Sequence, residues 1–585
     1  MESATLYVPE PVPTLGVVSA TYDQILAHPE QFFQGSDIVW MMISSALVFL
    51  MIPALSLIYA GMGNRSFALT LFRLPLITAA FIGFQWALWG YAFTFTRSSM
   101  NWWGGERRAF ALADVVAHPI GIGDHIEGGS IPELVYVIYE GMFAAFTAAL
   151  VCGGTMHRAP PTRFLAFITL WSIFVYYPVA RWSWDHDGWS NRLGVMDFAG
   201  GTPVHIVSGT TVATFAMFCG IEERRKSKKA LKYMGRFFNK LYKRLKHPWY
   251  ELWLNLLSVV GFCAVRCFGR PATENGNVGS DPDDSDSDDE DDDGDEPEAE
   301  PYNINYVILG TSMLWFGWAG FNGGSALGGN LRAVSAWTST HIAACSGGTV
   351  GVVLIWWQKM IARAANPDQD QSYDNLTALY FCDGAIAGLV AITPGAGFVP
   401  VWSAAIFGVV SSLVVYLLKE EASIFLRRDP LQIFAIHTGG GVVGMCLTGL
   451  FASQTTIGLD GHSTMPYPDR TRGQRLGYQI VDSVAGISYT FVVTLAILYF
   501  MKLAVFIFIN IGKPLHDWQS VPGLTSTYHD RLQATELQAW QPAEANGLQH
   551  INGHPQNPPL LPHPLATMPP VVNGNSSPPQ IGLIV

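Results

Sequence analysis

Residues 197–205 read D-F-A-G-G-T-P-V-H, and residues 429–437 read D-P-L-Q-I-F-A-I-H. In each, an aspartate stands eight positions before a histidine. Small residues follow both histidines: Ser208-Gly209 in the first stretch, Thr438 and three glycines in the second. Each stretch leads into a long apolar run. Ionisable side chains inside a bilayer are costly, so they are functional candidates wherever they occur there. Two of them at matching places predict an internal repeat centred on His205 and His437.

Working outward, runs of about 20 apolar residues, the length that crosses a bilayer, lie near 38–62, 68–94, 131–154, 162–181, 198–220, 303–324, 332–358, 376–394, 400–418, 432–452 and 478–510. The predicted fold is an all-α polytopic membrane protein of about eleven transmembrane helices. Helices 1–5 and 6–10 form the repeat. An odd number of spans per repeat forces the two copies into opposite orientation, with sites expected near the midplane where they meet. Glycines four apart, Gly384 and Gly388 or Gly440 and Gly444, predict helix faces that pack closely in lipid.

Composition agrees. Of 585 residues, 49% are apolar and only 14% charged, where soluble domains carry roughly 25% charged residues. The net charge of −12 belongs to one segment: residues 281–300 hold 14 acids and no base. Setting these aside, 46 less 14 leaves 32 acids against 34 bases, so the acidity says nothing about a basic partner. Cys152, Cys219, Cys263, Cys267, Cys345, Cys382 and Cys446 lack metal spacing and read as small buried hydrophobes. No nucleophile–base–acid cluster, glycine-rich phosphate loop or metal-ligand spacing is present. The sequence therefore predicts no enzyme, no cofactor, no metal and no nucleic-acid partner.

Five segments follow. Residues 1–36 form an extracellular N-terminal segment with no expected cleavable signal. Residues 37–220 and 303–510 hold helices 1–5 and 6–11. Between them, 221–302 is an inner insertion: basic and amphipathic over 224–246, apolar and interfacial over 250–268, acidic and disordered over 281–300. Residues 511–585 form a disordered inner tail. Arg and Lys after the third, fifth, seventh and ninth spans place the N-terminus outside and the tail in the cytoplasm, although Arg107, Arg108, Arg470 and Arg472 lie on the opposite side. The expected location is the plasma membrane.

These residues resemble the Amt/Mep/Rh ammonium transporter family, most of all its fungal Mep-type members. D-F-A-G-G-T-P-V-H (197–205) is similar to the fifth-helix signature. L-G-T-S-M-L-W-F-G-W-A-G-F-N-G-G-S-A-L-G-G-N-L-R-A (309–333) resembles that of the sixth. G-A-I-A-G-L-V-A-I-T-P-G-A-G (384–397) and F-A-I-H-T-G-G-G-V-V-G (434–444) match the eighth and tenth. The likeness covers about 37–220 and 303–510.

The resemblance implies an ammonium channel or transporter, a homotrimer in the bilayer, carrying ammonium or ammonia with methylammonium as an alternative cargo. It makes Phe143 and Phe321 the outer and inner stacked gates, and Trp184, Phe143 and Ser325 the outer binding site. His205 and His437 become the neutral lining passed after deprotonation. Asp197 has a structural and field role, and Thr393 marks a helix end near the midplane. An ammonium sensor acting through 221–302 and the tail, and a neutral-gas channel of the Rh type, remain as alternatives. Departures from the family pattern are Tyr139, Glu140, Asp383 and Gln432, and a tail without the family's acidic, glycine-containing motif. Trp182 rivals Trp184 for the outer site.

Overall fold

The structure, a computed structural model, describes residues 22–97, 102–120, 131–155, 160–226, 301–365, 374–425, 429 and 431–510. The expectations for 250–268, 281–300, 511–585 and all but the first three residues of 224–246 fall outside the described residues.

In lipid no water is available to backbone N–H and C=O groups, so a spanning segment must satisfy them within itself. The apolar runs accordingly fold as helices. Among the described residues, nine are long and apolar enough to cross a bilayer: Gly35–Met62, Arg65–Phe95, Glu133–Gly154, Pro161–Arg192, Gly201–Cys219, Leu331–Ile361, Val401–Lys419, Phe434–Phe451 and Arg472–Ile507. Two more, Ile304–Gly324 and Asp374–Ile392, complete the expected eleven. They are numbered here in chain order. Several hydroxyls within the spans are satisfied locally: Thr147 donates to the Phe143 carbonyl at 2.7 Å and Thr448 to that of Gly444 at 2.8 Å. Both use the carbonyl one turn back.

Lipid tails are as apolar as leucine, so helices associate through close van der Waals fit rather than through the hydrophobic effect. The first and sixth spans meet this way. A Cβ on Gly310 would lie 2.7 Å from the Ala54 carbonyl oxygen, and one on Gly320 would lie 2.6 Å from Leu47 Cβ. The predicted glycine faces behave alike. Gly384 approaches the Gly347 carbonyl of the seventh span, Gly388 that of Ala343, and Gly444 that of Ala391 in the eighth. Large apolar side chains such as Phe84, Phe316, Trp402 and Phe500 are exposed and face outward, as expected where the solvent is hydrocarbon. Cys345 differs from its expected burial: it is exposed on the seventh span, 3.7 Å from His341 Nε2. Cys152, Cys219 and Cys382 are buried.

Two polar clamps tie neighbouring spans and their connections together. At the head of the seventh span, Arg332 donates Nε to the Gly397 carbonyl at 3.0 Å, and its NH1 to Asp460 at 2.9 Å and Ser463 at 2.8 Å. Its guanidinium also lies over the Phe198 and Phe398 rings. On the eleventh span, Gln479 donates to the Met196 carbonyl at 2.7 Å and accepts from the Met196 N–H at 2.9 Å. Asp482 accepts from Ser190 and Thr202, both at 2.6 Å.

Gly384→Leu is expected to cost about 3 kcal/mol or more, since backbone rather than a flexible side chain blocks the new atoms. Loss of monodisperse protein in detergent, with Gly83→Ala as the unobstructed control, checks this. Asp460→Asn strands the buried Arg332 charge and should lower stability by about 3 kcal/mol. Burial pushes the Asp460 carboxyl up, but hydrogen bonds from Ser463 and His462 and the Arg332 charge outweigh it and hold the group below its ordinary value. The wild-type contribution is thus fully present above the usual carboxylate range and is lost only as pH falls through the lower folded value. The variant should lack it at neutral pH, and thermal melts of both proteins against pH check the difference.

Candidate functional site

The fifth span begins at an aspartate. The Asp197 carboxylate accepts the N–H groups of Gly200, Gly201 and Thr202 at 2.8, 2.6 and 2.8 Å, taking up donors that a helix N-terminus leaves without partners. The turn needs Gly200, whose φ is +110°. A π-helical turn follows, Gly201–Ile206, and it carries His205. The tenth span repeats the device. Asp429 accepts the Phe434 N–H at 2.8 Å, Gln432 takes a φ of +53°, and the π-helical turn Phe434–Gly439 carries His437. Such turns occur often at functional sites. Here they set the two imidazoles face to face.

His205 Nδ1 and His437 Nδ1 are 3.1 Å apart, both side chains being buried. That contact requires one nitrogen to donate and the other to accept, so the pair holds a single proton between the Nδ1 atoms. His205 Nε2 is shut off from solvent and has no hydrogen-bond partner. Trp318 stacks on the His205 ring at 5.6 Å, and its indole N–H donates to Thr393 at 3.0 Å. Thr393, just past the end of the eighth helix, thus fixes a wall of the histidine site.

A row of rings leads away from the pair. Phe321 lies 6.2 Å from His205, and Phe143 stacks on Phe321 at 4.2 Å. Trp184 then meets Phe143 edge to face at 5.8 Å, its indole N–H donating to the Asp197 carbonyl at 3.1 Å. Ser325 joins through backbone and phenol: its hydroxyl donates to the Phe321 carbonyl at 2.9 Å and sits 3.2 Å from the Tyr139 hydroxyl. The phenol at Tyr139 therefore has a use a phenylalanine would lack, since it also donates to the Phe321 carbonyl at 2.7 Å. The Trp184 end is called outer here, following the charge-based orientation. Trp182 points elsewhere, packing on Tyr489 at 4.7 Å and Trp102 at 5.2 Å.

Beyond the pair lies a cavity lined by His437, Trp318, Leu314, Ile436 and Phe146, with Asp383 in its wall. Asp383 forms an ion pair with Lys419 of the ninth span at 2.5 Å, the partner its position called for. Among the described residues no group of three or more His, Cys, Asp or Glu could hold a metal ion.

The arrangement is an apolar file whose polar atoms are ring nitrogens. A cation entering it would lose its hydration without replacement. At the outer end, an aromatic face can attract a compact cation. Trp318, Arg332, Gln479 and Asp482 were not singled out from the sequence. Asp482 alone carried a readable signal, as an acid inside an apolar span.

Comparison with known proteins points to one family. A family model, "Ammonium Transporter Family", matches residues 39–238 and 287–514. "Ammonium transporter 1" of Schizosaccharomyces pombe is 32% identical, covering 82% of this chain and 79% of the relative. "Ammonium transporter MEP2" of Saccharomyces cerevisiae is 30% identical, covering 81% and 79%. The crystal structure of Candida albicans Mep2 superposes with a TM-score of 0.61 at 30% identity, covering 82% of this chain and 86% of that one. With a family match across most of its length, the chain belongs to the Ammonium Transporter Family.

Proposed function

We propose that this membrane protein carries ammonium across a bilayer by taking it up at Trp184 and Ser325, removing a proton, and passing ammonia between Phe143 and Phe321 and along His205 and His437. The continuous file of rings from Trp184 to His437 carries the reading. Dehydrating ammonium in that file would be very costly, whereas neutral ammonia is a small dipole that one imidazole nitrogen after another can greet. The stacked phenylalanines close the file and must part for each passage. Asp197 acts through the helix it caps and through the carbonyl that receives the Trp184 indole. The names of the fungal relatives support ammonium as cargo. The reading extends to a homotrimer in the plasma membrane with a cytoplasmic tail.

Flux of ammonium into liposomes holding the purified protein tests this. His205→Ala and His437→Ala should each reduce ammonium flux about tenfold or more, or let potassium through. A tenfold change corresponds to about 1.4 kcal/mol at the barrier. Wild-type flux and selectivity in both would end the pore assignment. Trp184→Leu should raise the half-saturating concentration by about 3- to 30-fold, the worth of one cation–π contact, while Trp182→Leu should change it less. A protein that binds ammonium without moving it would favour a sensor.

A further inference from the structure

Glu140 lies on the third span, one turn outward of Phe143. Three residues along a helix is about 4.5 Å of rise, and residues three and four apart share a face. Tyr136, Glu140 and Phe143 therefore form one stripe, and Phe143 is the ring that meets Trp184. Glu140 is buried, and its Oε2 has no contact with solvent and no hydrogen-bond partner.

Other acids toward the outer end have partners. Asp197 accepts three backbone N–H groups, and Asp482 two hydroxyls. Asp185 pairs with Arg181 and accepts the Asp187 N–H, and Asp187 pairs with Arg192. Glu133 pairs with Arg108 and accepts from Tyr91. The titratable groups close enough to sense a charge on Glu140 are Tyr91 of the second span, Tyr136 and Tyr139 of its own, and Tyr176 of the fourth. Among the described residues no cation forms an ion pair with it.

We infer that Glu140 is the proton acceptor for ammonium at the mouth of the file. A carboxylate held in a low-dielectric site without hydrogen-bond donors is costly. Either an arriving cation or a proton relieves that cost, and ammonium brings both in turn. One N–H bond of ammonium breaks, its electron pair stays on nitrogen, and the proton forms an O–H bond on the Glu140 carboxylate. Neutral ammonia is left beside Phe143. Through its other oxygen, the carboxylic acid gives its proton to solvent water as the next ammonium arrives and takes over as its neutralising partner. This step rests on the proposed deprotonating uptake and names the atom that performs it. A well-satisfied carboxylate such as Asp197 is a poor candidate, because protonation would break bonds to three backbone donors and uncap the fifth span.

The test is ammonium flux into proteoliposomes across pH 5 to 8, for wild type, Glu140→Gln and Glu140→Asp, with folding checked by gel filtration. Glu140→Gln should lower saturating flux by about tenfold or more and flatten the pH profile. Glu140→Asp should restore a pH-dependent limb. Wild-type flux and profile in Glu140→Gln would overturn the inference, as would reduced flux with an unchanged profile, which marks a purely structural role. Infrared difference spectra provide a reading independent of flux. The carboxylic C=O band absent from Glu140→Gln should change in the wild type when ammonium is added, and an unchanged band would equally overturn the inference. No ammonium flux in wild type would instead remove the transport reading itself, a result visible before any variant is compared.

Discussion

Two imidazole nitrogens 3.1 Å apart in an apolar interior set the terms for much of this structure. His205 and His437 come from different repeats, and each imidazole would be costly alone in hydrocarbon. Their meeting requires the fifth and tenth spans to approach closely. Gly209 allows it, since a Cβ there would lie 2.4 Å from Thr438 Oγ1. Both helices must also turn their histidines inward at the same depth. The two π-helical turns do this, and each begins after an aspartate that takes up backbone N–H groups. The sequence echo of Asp and His eight apart is thus a folding instruction as well as a functional mark.

The helices themselves were legible because a bilayer leaves few choices. Length and apolarity decide a span, and every expected run became a helix close to its expected bounds. The inverted repeat was legible because the odd span count and the paired motifs pointed the same way. What the sequence hid was direction. Trp182 and Trp184 are two residues apart in a helical segment, so their side chains diverge, but sequence does not say which one faces Phe143. Geometry assigns Trp184 to the ring file and Trp182 to a cluster with Tyr489. Asp383 was equally opaque alone, since its partner Lys419 lies on the next span. The π-helical turns have no sequence signature read here, and Cys345 was misjudged because an apolar run does not reveal which side of a helix faces outward.

The eleventh span lies outside the repeat, and its polar residues explain why it is there. Asp197 can cap the fifth span only if the chain leading into it is held in place. Gln479 grips Met196 on both its backbone groups, and Asp482 ties Ser190 to Thr202. These bonds lie in a buried region where unsatisfied partners would be expensive. They couple a helix beyond the two repeats to the turn that positions His205. Arg332 does similar work from the head of the seventh span, binding the Gly397 carbonyl and Asp460 while resting on Phe198.

Against that background the polar groups of the pore region fall into two kinds. Asp197, Asp482, Thr393 and Gln479 are satisfied by protein, and a change in their protonation or position would disturb backbone they support. Glu140 Oε2 and His205 Nε2 have no protein partner. A fold that satisfies so many buried hydroxyls and carboxylates could have satisfied these as well, and buried polar atoms are rarely left alone without reason. Glu140 stands one helical turn before Phe143, and the His205 ring lies 6.2 Å from that of Phe321. Two of the buried atoms left without a partner thus belong to residues of the path proposed for the substrate: a carboxyl where a proton must be left, and an imidazole nitrogen where ammonia must be met.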